Sequence, residues 1–132
     1  MLNYKPCARW LMNERLTDIV GTVAPPAMPC SLTDPAINEI LTQVGPDREV
    51  VFTYPDGLEL HTRADGLDDP AMFPFVQLYT MADRPFYCVE PWMGFPNALN
   101  AAAGARWLAA GQTERGRLHV WTSLQAGRGV GA

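Results

Sequence analysis

Lysine and histidine are scarce in this chain of 132 residues, which has one lysine, Lys5, and two histidines, His61 and His119. The formal net charge is −4, and the ten basic residues are scattered along the chain. A nucleic-acid interface needs a clustered positive surface to neutralise phosphates. The sequence therefore predicts no nucleic-acid partner.

The cysteines are few and odd in number, and their spacing fits neither a disulfide framework nor a zinc site. No glycine-rich phosphate loop is present either. No apolar run approaches the ~20 residues that a membrane-spanning helix needs, and the N-terminus lacks the apolar core of a signal peptide. We therefore expect a cytoplasmic protein with no metal site and no membrane association.

Short β-rich segments, separated by proline and glycine, make up most of the chain. The length suits one domain, which we place at residues 1–124, followed by a flexible glycine-rich tail at 125–132. The turn Pro55-Asp-Gly57 predicts a hairpin between its flanking segments. Alternating or continuous apolar residues predict strands at 49–54, 58–63, 75–80, 86–90 and 117–124.

Three other segments have weaker patterns. We expect residues 1–30 to be irregular, apart from a short strand at 16–21. Apolar residues recur with helical spacing at Ile37, Ile40, Leu41 and Val44. This spacing predicts a short helix, although an irregular apolar loop packed on a sheet fits as well. Residues 98–108 have high helical propensity. The predicted architecture is mainly β, with antiparallel strands and at most two short helical pieces.

Glu90 stands out because it ends an apolar strand and is followed by a turn rich in proline, glycine and asparagine. A carboxylate in that position is partly desolvated, while nearby donors can keep it ionised and aimed, which suits a general base. The alternative is a solvated residue at a strand end.

Aromatic residues accompany this carboxylate: Trp92 and Phe95 follow it, and Tyr79 lies on the preceding strand. An aromatic ring beside carboxylate and amide groups suits a sugar, since the C–H face of the sugar packs on the ring and polar groups fix its hydroxyls. Alternatively, Trp92 fills the core under the turn.

The remaining polar residues are typical of ordinary structure. His61 and His119 are expected to be plain strand residues, because neither belongs to a metal-ligand pattern. Asp65, Asp68 and Asp69 predict a solvated turn rather than a cation site.

Four motifs, in order, resemble the C-terminal signature of the aldose 1-epimerase (galactose mutarotase) family. They are Gln77-Leu-Tyr-Thr80, Cys88-Val-Glu90-Pro-Trp, Pro96-Asn-Ala-Leu-Asn100 and Leu108-Ala-Ala-Gly111-Gln-Thr. The resemblance covers about residues 58–124 and implies an antiparallel β-sandwich, of which this chain is the C-terminal part.

The resemblance also implies a function. Members interconvert the α and β anomers of a free aldose such as glucose or galactose, without a metal or organic cofactor. Glu90 matches the general base that acts on the anomeric hydroxyl, and Gln77 matches a residue that contacts sugar hydroxyls. With Trp92 and Asn97 beside them, these residues form the predicted substrate site.

The departures from the family pattern limit this expectation. Asn97, Ala110 and Gln112 replace the usual Asp, Pro and Glu. Family members are longer, and both their acid histidine and a second sugar-binding histidine lie in an N-terminal half that has no counterpart here. We therefore expect either a missing N-terminal half or a homo-oligomer, with an isolated chain that can be inactive. The alternatives are a non-catalytic carbohydrate-binding module and a truncated fragment.

Overall fold

The computed structural model describes residues 1–81, 84–101 and 103–125, so most of the predicted tail lies outside the described residues. The described residues are mainly β, as predicted. The strands are β1 (Leu2–Asn3), β2 (Pro6–Met12), β3 (Ile19–Val23), β4 (Ile40–Val44), β5 (Val50–Thr53), β6 (Leu58–Gly66), β7 (Phe75–Thr80), β8 (Tyr87–Trp92) and β9 (Gly116–Leu124). The helical pieces are a 3₁₀ turn (Pro35–Ile37) and α1 (Ala98–Ala101).

The strands form two antiparallel sheets. The four-stranded sheet has the order β1-β5-β6-β9, and the five-stranded sheet has the order β3-β2-β4-β7-β8. The predicted hairpin is confirmed as β5 and β6, and the predicted strand pair after it is confirmed as β7 and β8.

The core lies between the two sheets. Buried residues of β1 and β5 meet buried residues of β4 and β7 there, and the set includes Leu2, Val50, Phe52, Ile40, Val44, Val76 and Leu78. Since side chains alternate across a strand, the neighbours of these residues lie on the outer face of each sheet.

The expectation of an irregular segment at residues 1–30 is wrong, because β2 and β3 form a pair there and β2 also pairs with β4. The sequence of β2 runs through Trp10, Leu11 and Met12 without alternation. The ring of Trp10 packs on the outer face, where it contacts Phe75, so this apolar residue does not mark the core side of the strand.

Both interpretations of residues 37–44 are also wrong, because Ile40–Val44 is strand β4. Ile40 and Val44 face the core, whereas Leu41 is buried on the outer face. Burial on both faces produced an apolar spacing that resembles that of a helix. The 3₁₀ turn before β4 is capped by Asp34, whose Oδ1 accepts a hydrogen bond from Ala36 N at 2.8 Å.

The helix expected over residues 98–108 is confined to Ala98–Ala101 among the described residues. It makes one turn, and the chain then runs without regular structure to β9.

β9 forms an edge of the four-stranded sheet and is poorly covered. Leu118, Val120 and Leu124 lie on the same face as buried residues of β5 and β6, yet they are 60%, 59% and 75% exposed. The opposing sheet therefore does not extend over this strand. Within the described ranges, no helix is both long enough and apolar enough to span a bilayer.

Candidate functional site

Gln77 on β7 and Glu90 on β8 are directly paired across the antiparallel ladder. Val76 and Leu78, which flank Gln77, belong to the core between the sheets. Alternation therefore puts Gln77, and with it Glu90, on the outer face of the five-stranded sheet. The structure thus brings the predicted base and a predicted sugar contact together.

Trp92 lies two residues beyond Glu90 and on the same face. Its indole Nε1 donates a hydrogen bond to Glu90 Oε2 at 3.2 Å. Both side chains are half-buried. The contact aims the carboxylate and leaves its second oxygen, Oε1, available to another donor.

Gln77 is buried, with 6% of its surface exposed, and its Oε1 has no hydrogen-bond partner. Trp10 Nε1, two strands away on the same face, is also buried without a partner. Leu41 lies between them in the same row. An unpaired buried carbonyl costs free energy unless a water molecule or a ligand hydroxyl binds to it.

Residues 93–101, which we call the covering segment, leave β8 and cross the outer face of the same sheet. The ring of Phe95 lies 4.6 Å from that of Phe75 and 4.8 Å from that of Trp10, measured between centroids. This aromatic cluster attaches the covering segment to β7 and β2 and forms a second apolar layer outside the sheet.

Two glycines allow the covering segment to pack closely. A Cβ at Gly94 would lie 2.4 Å from the carbonyl oxygen of Gly104. A Cβ at Gly104, where φ is +71°, would lie 2.3 Å from a ring carbon of Phe95. Both positions therefore require glycine for space, and Gly104 also requires it for its left-handed backbone.

Asn97 anchors the far end of the covering segment. Its Nδ2 donates to Asp18 Oδ1 at 2.8 Å, and its Oδ1 accepts from Asn100 Nδ2 at 2.6 Å. The hydrogen bond from Asn97, followed by one from Thr17, holds the pKa of Asp18 below its usual value. Both ends of the Asn97 amide are engaged by protein groups, so this residue attaches the segment to the loop between β2 and β3.

Both histidines lie on the other sheet, His61 on β6 and His119 on β9. They are strand residues, as predicted, and the five-stranded sheet that carries Glu90 has no histidine within its described strands. The structure therefore places no imidazole acid beside the predicted base.

Of the three aspartates expected in a solvated turn, Asp68 and Asp69 lie in the turn after β6, whereas Asp65 is a residue of β6 itself. Each of the three pairs with a basic side chain. Asp65 pairs with Arg63 and His119, Asp68 pairs with Arg115, and Asp69 pairs with Arg106. The hydrogen bond from Arg115 keeps the pKa of Asp68 low. Within the part of the chain that the structure describes, no cluster of His, Cys, Asp and Glu could hold a metal ion.

One further polar cluster, which sequence patterns did not predict, lies on the outer face of the four-stranded sheet. His61 Nδ1 lies 2.5 Å from Glu49 Oε1, and His61 Nε2 lies 2.8 Å from Ser123 Oγ. The hairpin register alone brings Glu49 close to His61, but the pairing of β6 with β9 that adds Ser123 had no local signal.

Cavities lie elsewhere than at Glu90. A cavity of about 520 Å³ lies against Pro91, Arg106 and Leu118, one of about 660 Å³ opens between Phe52 and Tyr87, and one of about 560 Å³ borders His61. None of these three is lined by Glu90, Gln77 or Trp92 among the described residues.

Comparison with known proteins finds no match to this chain among protein-family models, curated proteins or solved structures.

Proposed function

We propose that the outer face of the five-stranded sheet binds a free aldose beside Glu90 and interconverts its anomers, as an isomerase of the aldose 1-epimerase type. The observation that carries the proposal is the pairing of Gln77 with Glu90, in which the buried Gln77 Oε1 lacks a partner. We expect the Gln77 side chain to turn toward the bound sugar, so that a sugar hydroxyl supplies the donor that this buried oxygen lacks.

The chemistry follows from the contacts of the carboxylate. Glu90 accepts the proton of the anomeric hydroxyl, the bond between C1 and the ring oxygen breaks, and the ring oxygen is protonated. Rotation about the C1–C2 bond and closure on the other face of the carbonyl give the second anomer. The hydrogen bond from Trp92 Nε1 holds the carboxylate in place, and its indole offers an apolar face to the sugar.

The order of the motifs around Gln77, Glu90 and Asn97 resembles that of the aldose 1-epimerase family, which supports the proposed isomerase. The two packed antiparallel sheets also agree with the β-sandwich of that family. Unpaired Cys7, Cys30 and Cys88 are consistent with a reducing, cytoplasmic setting.

The acid that protonates the ring oxygen has no imidazole candidate beside Glu90, since His61 and His119 lie on the other sheet. Water, or a further stretch of polypeptide, must then supply the proton. The exposed apolar side chains of β9, Leu118 and Leu124 among them, support a partner surface, either a second copy or an N-terminal half. We expect weak activity from the isolated chain.

Because both histidines lie on the other sheet, a second candidate function is a carbohydrate-binding module without catalysis. Two measurements on the purified chain separate the candidates. Titration with glucose and galactose, followed by tryptophan fluorescence, reports binding, and loss of the response in Trp92→Phe assigns it to Trp92 among the four tryptophans. Polarimetry on freshly dissolved α-glucose and α-galactose reports anomer interconversion.

Binding together with faster mutarotation supports the isomerase. Binding without acceleration supports the binding module. No response of either kind to either sugar contradicts both.

A further inference from the structure

The cluster around His61 lies on the outer face of the four-stranded sheet and takes no part in the proposed sugar site. Its three side chains come from distant parts of the chain: Glu49 precedes β5, His61 lies on β6, and Ser123 lies on β9. Each ring nitrogen of His61 has its own oxygen partner, Glu49 Oε1 at 2.5 Å and Ser123 Oγ at 2.8 Å.

This order of contacts, carboxylate to Nδ1 and hydroxyl to Nε2, is what an activated serine requires. Glu49 accepts the Nδ1 proton, which leaves Nε2 of the neutral ring as an acceptor for the hydroxyl proton of Ser123. The ring is held still by Trp121, which stacks on it with centroids 5.0 Å apart and planes 12° apart. The His61 side chain is only 11% exposed.

Space for a small substrate lies beside the ring. The cavity of about 560 Å³ is bordered by His61, Glu59, Tyr54 and Gln125. Ser123 does not line this cavity itself; its half-buried side chain contacts His61, which does.

The edge position of β9 offers a donor for a developing oxyanion. Gln125 N donates to Gly57 O at 3.0 Å, so odd-numbered residues of this strand direct their N–H groups toward β6. Even-numbered residues then direct theirs outward, and no described strand pairs with that side of β9. The N–H of Leu124, next to Ser123, is therefore available at the open edge.

We propose that Ser123 is a nucleophile toward small activated esters, with His61 as its general base and Glu49 as the residue that positions His61. Ser123 Oγ bonds to the carbonyl carbon as its proton passes to His61 Nε2. The bond between that carbon and the alcohol oxygen then breaks, and His61 returns the proton to the departing alcohol. Water attacks the acyl-serine in the same way, which releases the carboxylic acid and restores the hydroxyl.

A second carboxylate near His61, that of Glu59, provides a test of the roles proposed for Ser123, His61 and Glu49. Glu59 Oε2 lies 3.2 Å from Ser123 Oγ and 3.5 Å from His61 Nε2. It competes with His61 for the hydroxyl proton and repels negative charge on the attacked carbonyl oxygen. Hydrogen bonds from Gln125, then from Ser123 and Thr53, hold the pKa of Glu59 low, so this carboxylate is ionised at neutral pH. Glu49 therefore favours transfer of the Ser123 proton to His61, whereas Glu59 competes with His61 for that proton.

The chain contains only two serines, which gives an internal control. Ser31 is exposed and contacts Thr33 rather than a histidine. The test is the rate at which a fluorophosphonate probe labels the purified full chain, with the modified residue located by peptide mass mapping. Hydrolysis of p-nitrophenyl acetate is followed in parallel.

We expect labelling at Ser123 that disappears in Ser123→Ala and persists in Ser31→Ala. His61→Gln should slow it by about 10²-fold, the usual contribution of a general base. Glu49→Gln should slow labelling and Glu49→Asp should retain part of the rate, because the carboxylate holds the ring with Nε2 as the acceptor. Glu59→Gln should raise the rate, because the amide no longer competes as strongly for the Ser123 proton and no longer repels negative charge on the attacked carbonyl oxygen. Circular dichroism identifies any variant that has lost the sheet.

Equal labelling of Ser31 and Ser123, no labelling of Ser123, or the same loss in folded Glu49→Gln and Glu59→Gln variants would each overturn the assignment.

Discussion

Gln77 and Glu90 face each other across the β7–β8 ladder, so a buried amide and a half-buried carboxylate lie side by side on the outer face of one sheet. Trp92 holds the carboxylate through its indole N–H. The amide carbonyl, in contrast, has no protein donor. The Glu90 carboxylate is thus an acceptor held in place, and the Gln77 carbonyl is an acceptor without a donor. Two such acceptors suit a ligand with several hydroxyl groups.

Replacing Gln77 by leucine should weaken sugar binding without unfolding the protein. The unpaired carbonyl contributes no hydrogen bond to the folded state, so Gln77→Leu should change the free energy of unfolding by less than about 1 kcal/mol. The lost contact to a sugar hydroxyl should weaken binding by about tenfold. Fluorescence titration and urea denaturation measure the two effects.

Gln43→Leu is the matched control, because Gln43 lies on β4 on the same face but is exposed. It should leave the sugar response unchanged. A Gln77→Leu variant that binds sugar normally would remove Gln77 from the site.

The covering segment should be sensitive to a methyl group at Gly104. Gly104→Ala adds a left-handed backbone penalty of about 1–2 kcal/mol and a collision with the Phe95 ring that costs about 1–3 kcal/mol more. Gly111 also has positive φ, +80°, but no atom lies within 4 Å of its Cβ position. Gly111→Ala should therefore show the backbone penalty alone. Urea denaturation measures the free energy of unfolding of both variants, and equal losses in Gly104→Ala and Gly111→Ala would contradict the close packing of Phe95.

The link between Asp18 and Asn97 should make stability fall in acid. The pKa of Asp18 is lowered in the fold, chiefly by the hydrogen bond from Asn97. The ionised carboxylate therefore adds to the free energy of unfolding above the pKa of Asp in an unfolded chain, about 3.9. This contribution is lost as the pH falls through the lower folded value. Asp18→Asn keeps an acceptor for Asn97 but does not titrate. Urea midpoints measured from pH 6 to pH 2.5 should fall less steeply in Asp18→Asn than in the wild type.

Glu14→Gln, at an exposed position in the same loop, is the control and should retain the wild-type slope. An unchanged slope in Asp18→Asn would show that Asn97 does not anchor the segment through this carboxylate.

Much of the site's framework was predictable because its strands are local hairpins. The turn at Pro55-Asp-Gly57 and the short link after β7 determine which strands pair, and the pairing of Gln77 with Glu90 follows from the second. Alternation then puts both residues on the face opposite Val76.

The parts of the fold and of the polar clusters that local patterns did not predict depend on contacts between residues far apart in sequence. β4 is buried on both faces, and β2 packs Trp10 on the outer face, so an apolar residue in these strands does not mark the core side. Phe95, which covers the outer face, is far away in sequence. The serine cluster was missed for the same reason: Ser123 meets His61 only through the register of β6 and β9. Local patterns carry no information about such pairings.

We propose above all that the Glu90 carboxylate is the base for anomer interconversion. Its most direct test is the rate of exchange between the α and β anomers of glucose and galactose, measured by NMR exchange spectroscopy at neutral pH on wild type, Glu90→Gln and Glu14→Gln. We predict acceleration over buffer by the wild type and by Glu14→Gln, and none by folded Glu90→Gln. A Glu90→Gln variant as fast as the wild type would contradict the account.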